Sequence, residues 1–166
     1  MKVRRNSSAF ATKTLHLLVV GLVITACLGA AGPEFSDVSF VLGPKKFREG
    51  DGIIIRQVQS TSPKLEIGDK VVVRGHFALQ SEEKAVLALY RTRIEDCSKE
   101  HIAPTQRILV KQGTGEFALA IEIKHTVALH LTFYRIPDGK PFGGVYFGTA
   151  LQMDGIKDWT LADYEQ

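Results

Sequence analysis

The sequence predicts an all-β domain: an antiparallel two-sheet sandwich, immunoglobulin-like, of seven or eight strands. Three observations carry that expectation. Past an N-terminal leader the chain breaks into short stretches rich in Val, Ile, Phe and Tyr, most of them alternating with period two. Strong turn signals stand between them: "EGDG", "SPK", "IGDK", "KQGTGE" and "IPDGKPFGG". No window holds a long helical period, which argues against an alternating α/β arrangement.

Taken in order, the expected strands are "SDVSFVL" (36–42), "GIIIRQVQ" (52–59), "KVVVRGHFAL" (70–79), "AVLALYRT" (85–92), "QRILVKQ" (106–112), "EFALAIEIK" (116–124), "TVALHLTFYR" (126–135) and "GVYFGTA" (144–150). The alternation is cleanest in the sixth, where Phe117, Leu119, Ile121 and Ile123 take one face and Ala118, Ala120, Glu122 and Lys124 the other. In the seventh, Val127, Leu129, Leu131 and Phe133 form the apolar face. There is no Cys…Trp…Cys pattern, which excludes an antibody-type core but not the architecture.

A length of 166 residues suits one domain with a short appendage. With 45% hydrophobic and 23% charged residues, the chain has material for a core and lacks the composition of a disordered segment. The expected organisation is a signal peptide over 1–26, a tether and lead-in strand over 27–49, the sandwich over 50–150 and a tail over 151–166.

The leader explains the net charge of +3. Four of the 21 basic residues, Lys2, Arg4, Arg5 and Lys13, precede Cys27, where no acidic residue stands; the remaining 17 face 18 acids. The basic character therefore belongs to the leader, and no nucleic-acid partner is expected. The basic start "MKVRRNSSAFATKT" leads into an uncharged run over 15–26 and then small residues, the anatomy of a secretory signal. "ITAC" (24–27) resembles the bacterial lipobox, whose cysteine is acylated and becomes the new N-terminus. Cys27 is thus the expected lipid attachment site, and the domain an extracytoplasmic lipoprotein of the envelope, since more than one acyl chain gives stable attachment. Cleavage after Ala31 would give a secreted domain instead. An uncleaved anchor would need about 20 apolar residues, more than this run supplies.

The cysteines are Cys27 and Cys97. Acylation or removal of Cys27 leaves no intramolecular disulfide, so the core must hold the fold. Cys97 stands in "IEDCSKEH", where neighbouring acids disfavour its thiolate.

"GIIIRQVQSTSPKLEIGDKVVVRGHFALQSEEKAVLALY", "GTGEFALAIEI" and "FGGVYFGTA" together resemble a family of secreted bacterial β-sandwich domains. Its members pair a strand ending in a Thr-Ser turn with a "GxxYxVxGxYxL" strand and close on "FGGxYFG". Phe77 keeps the second aromatic position of that pattern, and Val71 stands at the first. The resemblance covers most of 50–150 and implies a fold and a compartment but no reaction.

Catalytic signatures are missing: there is no G-x-S-x-G elbow, P-loop, H-E-x-x-H or dinucleotide fingerprint. "GTGE" (113–116) is expected to be a turn, and Glu95 and Asp96 to point apart on a solvated corner. The protein is therefore expected to be no enzyme and to need no cofactor. A weaker alternative is a copper-type site of Cys97, His101 and His76 with Gln106 in an axial place. The charged setting of Cys97 argues against it. A purely structural envelope component is the other alternative. His125 and His130 show no ligand spacing.

Strand faces give the best clue to function. Burying Leu87 and Leu89 turns Ala88, Tyr90 and Thr92 outward, and the seventh strand likewise turns out Ala128, His130, Thr132 and Tyr134. Burying Val145 and Phe147 turns out Gly144, Tyr146 and Gly148. In an immunoglobulin-like sandwich these three strands are neighbours, so Tyr90, His130, Thr132, Tyr134 and Tyr146 share one face over a floor of Ala and Gly. Such a face is expected to bind a protein or glycan partner, because tyrosine offers rigid area and a polar tip. Trp159, the lone tryptophan, lies in the tail and is a lesser candidate for recognition.

Overall fold

The computed structural model describes residues 34–93, 103–125 and 127–159. The signal segment, Cys27, Glu95, Asp96, Cys97 and His101 lie outside the described residues. Seven antiparallel strands join into one curled, open sheet. They are β1 (Ser36–Asp37), β2 (Val41–Lys46), β3 (Gly52–Ser60), β4 (Lys70–Arg93), β5 (Arg107–Glu122), β6 (Val127–Arg135) and β7 (Pro141–Gly148). The order is β1-β3-β4-β6-β7-β2, with β5 paired to β4. A 3₁₀ turn, Pro104–Gln106, and a short helix, α1 (Ala150–Asp154), complete the described elements. The antiparallel all-β class follows the sequence expectation.

Strand boundaries differ from it in two places, and both matter. The expected strands at 70–79 and 85–92 are one strand, β4, of 24 residues; those at 106–112 and 116–124 are one strand, β5, of 16. Neither "QSEEK" nor "KQGTGE" reverses the chain. Leu79 pairs with Gly113 and Lys84 with Lys111, so residues 80–83 bulge out opposite Gln112 while the ladder resumes on both sides. Gly113 sits at φ 117°, a conformation open to glycine, and stays within the strand. "GTGE" is thus strand, not turn.

The bulge is held by three side chains. The Asp51 carboxylate accepts from Gln80 N at 2.7 Å, Ser81 N at 3.0 Å and Ser81 Oγ at 2.6 Å. Gln112 Nε2 donates to the Gln80 carbonyl at 2.8 Å. Arg48 Nη1 reaches Glu82 Oε1 at 2.8 Å, with its guanidinium 4.9 Å from the Phe142 ring centre.

The consequence is a change of neighbours along β4. Its first half pairs with β3 and β5, and its second half with β5 and β6. The apolar face curls over itself, so that Ile53, Ile55 and Val58 of β3 share one core with Leu131 of β6 and Val145 and Phe147 of β7. Phe77 meets Phe133 edge-on at 6.5 Å, and Phe142 stacks on Phe133 at 5.7 Å. Each such fully buried side chain stabilises the fold by about 1.5–3 kcal/mol. Across β4 and β5, Phe117 lies over Gly75 and Phe77 over Gly115. A Cβ on Gly75 would collide with the Ile54 carbonyl oxygen, and one on Gly115 would sit 2.7 Å from the Phe77 ring.

The loop between β3 and β4 is organised by the buried carboxylate of Asp69, which accepts from Thr61 Oγ1 at 3.1 Å, Ser62 Oγ at 2.7 Å and Glu66 N at 2.9 Å. The expected lead-in strand at 36–42 divides. β1 pairs with β3 at one end of the sheet, and β2 pairs with β7 at the other.

β7, "PFGGVYFG", is buried on both faces, which explains its near-continuous apolar run. Val145 and Phe147 face the main core, while Tyr146 joins Ala128, Met153 and Ile156 in a second cluster with Trp159 against it. α1 starts at a capping box: Thr149 Oγ1 accepts from Gln152 N at 3.3 Å and Gln152 Oε1 from Thr149 N at 2.9 Å. Through Met153, Ile156 and Trp159 the first part of the tail packs back on the sheet.

Asp51→Ala removes three acceptor contacts at the bulge and leaves two amides without them. It is expected to lower unfolding free energy by about 1–2 kcal/mol, read from urea denaturation with an unchanged slope.

Candidate functional site

The register assembles the expected aromatic face. Tyr90 of β4, His130 of β6 and Tyr146 of β7 lie directly opposite one another across three strands. Ring centroids are 6.0 Å apart for Tyr90 and His130, 5.1 Å for His130 and Tyr146, and 5.3 Å for Tyr90 and Tyr134, which meet edge to face. Trp159 extends the row, T-shaped on Tyr146 at 5.7 Å. Thr132 stands two residues along β6, its Oγ1 2.8 Å from His130 Nδ1.

One part of the expectation is corrected: this face does not lie open to water. His130 is 9% exposed, Tyr146 8% and Thr132 1%, and the floor residues Ala88 and Ala128 are buried with them. The physical reason is coverage from both sides. Tyr146 carries α1 and Trp159, and His130 is enclosed between the rings of Tyr90 and Tyr146. Tyr90 and Tyr134 remain half-buried and form the accessible part of the row.

Burial sets the electrostatics. Removing the imidazole from water penalises its charged form, so the pKa of His130 is pushed down to about 4. The ring is neutral at pH 7, with Nδ1 engaged by the Thr132 hydroxyl. Burial likewise raises the Tyr90 phenol above its ordinary value, with the Arg107 charge pulling the other way. Tyr146 keeps its hydroxyl 3.2 Å from Thr92 Oγ1. These groups make a neutral, hydrogen-bonded aromatic cluster.

Of the copper-type alternative, the described residues include His76 and Gln106. Cys97 and His101 lie outside the described residues. His76 is on β4 with its side chain 45% exposed and Nδ1 3.9 Å from Glu116 Oε1. Gln106 is buried with both ends of its amide engaged: Oε1 accepts from Ala103 N at 2.9 Å and Nε2 donates to the Leu89 carbonyl at 3.2 Å. It braces the 3₁₀ turn against β4. Among the described residues no three His, Cys, Asp or Glu side chains converge on a metal position.

A cleft of about 570 Å³ opens on the far side of Trp159, between the β3–β4 loop and α1. Leu65, Ile67, Ala128, Leu151, Ile156 and Trp159 line its apolar part. The sequence reading missed it. The signal that could have found it is the spacing of Met153, Ile156 and Trp159, three residues apart in the tail.

No family model, no curated protein and no solved structure matches this chain.

His130 predicts a specific pH dependence. Its folded pKa lies below the ordinary value of about 6.5, so the unfolded chain takes up the proton first. The stability it supports is complete above pH 6.5 and is lost as pH falls toward 4. Unfolding free energy is expected to be about 2 kcal/mol lower at pH 5 than at pH 7 through this residue. Denaturant curves of His130→Gln should show that part of the dependence gone.

Proposed function

We propose that this protein is a non-enzymatic, extracytoplasmic β-sandwich domain of immunoglobulin-like topology. It is tethered to the bacterial envelope by acylated Cys27 and binds a protein or glycan partner through its aromatic row. The observation that carries the binding reading is the row itself. Tyr134 and Tyr90 are in edge-to-face contact at 5.3 Å and half-buried at the surface, with Tyr90 held against His130 by strand register. A pair of rigid rings already in place loses little conformational freedom on contact, which favours binding energy concentrated there.

The sandwich reading is supported by the bend at 80–83 and by the lead-in chain. β1 and β2 are separated by three residues yet pair at opposite ends of the sheet order, as a strand that switches layers does. The tether reading is supported by "ITAC" directly after an uncharged run. The family resemblance rests on "FGGVYFG" and the strands around it, and it points to the same compartment.

Two measurements test these readings. Intact mass of the mature protein from its own membrane fraction is expected to show an N-terminal, diacylated or triacylated Cys27; an unmodified N-terminus near Gly32 would replace the tether with plain secretion. For binding, Tyr90→Ala with Tyr134→Ala is the clean pair, because Tyr146 is buried and its loss would disturb the fold. The double variant is expected to unfold cooperatively yet lose at least ten-fold in capture of envelope proteins or glycans. Equal capture by both forms would leave a structural component.

A further inference from the structure

We propose that the cleft between the β3–β4 loop and α1 is a second, independent site, which binds a cationic amphiphile: a hydrocarbon chain ending in an alkylammonium group. The lining chemistry selects the chain. Leu65, Ile67, Leu151 and Ile156 offer aliphatic surface, along which a ligand rich in hydroxyls or amides would lose its water for few replacement partners. Gln152 also lines the cleft, but its amide is already committed. Nε2 donates to the Leu65 carbonyl at 2.9 Å and Oε1 accepts from Thr149 N at 2.9 Å. That bridge fixes α1 against the loop, so the two walls of the cleft are tied together.

The charge of the wall selects the head. Glu66 is the one lining residue of the Asp, Glu, Lys and Arg types, and His125 lines the cleft as well. Its carboxylate has Lys64 Nζ at 3.6 Å, with the two side chains 59% and 73% exposed. An ion pair so open to water contributes little and yields readily to a better-placed cation. Trp159 lines the same cleft, and an indole attracts an ammonium group through its electron-rich face. A carboxylate and an indole at the wall of an aliphatic cleft are complementary to a cation carried on a hydrocarbon. The volume, about 570 Å³, falls within the range of small-molecule sites. Ile67 and Leu151, 59% and 84% exposed, are large apolar side chains that an entering chain would cover.

Trp159 is the single tryptophan of the chain, so indole fluorescence reports this cleft directly. Emission is followed during titration with decyltrimethylammonium, decanoate and decyl maltoside, each below micelle formation and with cooperative unfolding confirmed at the end point. The expected result is a saturable blue shift with the ammonium compound at least ten-fold tighter than with decanoate. Glu66→Gln should erase that preference, and Leu151→Ser, at a position too exposed to threaten the fold, should weaken binding of the ammonium compound about ten-fold. Tyr90→Ala with Tyr134→Ala should leave it unchanged, which separates this site from the aromatic row. Equal affinity for cation and anion, a preference that survives Glu66→Gln, or a shift that never saturates would each overturn the proposal.

Discussion

The bend at residues 80–83 is the constraint on which the rest of the structure depends. A strand of 24 residues laid flat would expose one apolar face along its whole length. Placing four residues opposite one lets β4 leave β3 and take up β6 while β5 stays beside it on both sides of the bulge, as far as Ala88. Bulges concentrate twist and bending in this way, and they persist only where the surplus residues find partners. Here Asp51 and Arg48 of the β2–β3 connection and Gln112 of β5 supply them. The core in which β3 meets β6 and β7 is the outcome of that local arrangement.

The second cluster depends on the first. Because β7 contributes Val145 and Phe147 to the core, its alternate residue Tyr146 must point the other way, and α1 returns to cover it. A histidine buried beside it costs less than a charged group would, since imidazole can shed its proton and satisfy Nδ1 with the Thr132 hydroxyl. The aromatic row therefore has a rigid, neutral interior at His130 and Tyr146 and an accessible end at Tyr90 and Tyr134. The cleft beyond Trp159 is a by-product of the same closure, bounded by α1 on one side and by the loop ordered around Asp69 on the other.

Much of the strand content was legible along the chain. Phe117, Leu119, Ile121 and Ile123 alternate as a half-buried strand must, and all four are buried. The gathering of Tyr90, His130 and Tyr146 was also legible, since two assumptions sufficed: which residues face inward, and which strands are neighbours. Two things were not. "KQGTGE" has the composition of a turn, and only pairing across to β4 shows that its glycines accommodate a bulge. The exposure of the aromatic face was misjudged because its cover comes from α1 and Trp159, contacts that local alternation does not report.

By itself the sequence determined the antiparallel β class, the inward residues of most strands and the set of rings that share a face. These follow from the period-two geometry of an extended chain, in which each side chain's face is set by its immediate neighbours. Tertiary structure alone decided that four expected strands are two, that His130 and Thr132 are buried, and that a cleft lies behind Trp159. Each of those depends on groups far apart in the chain, such as Asp51 with Ser81 or Gln152 with Leu65, and a pairing at that distance leaves no local periodicity to read.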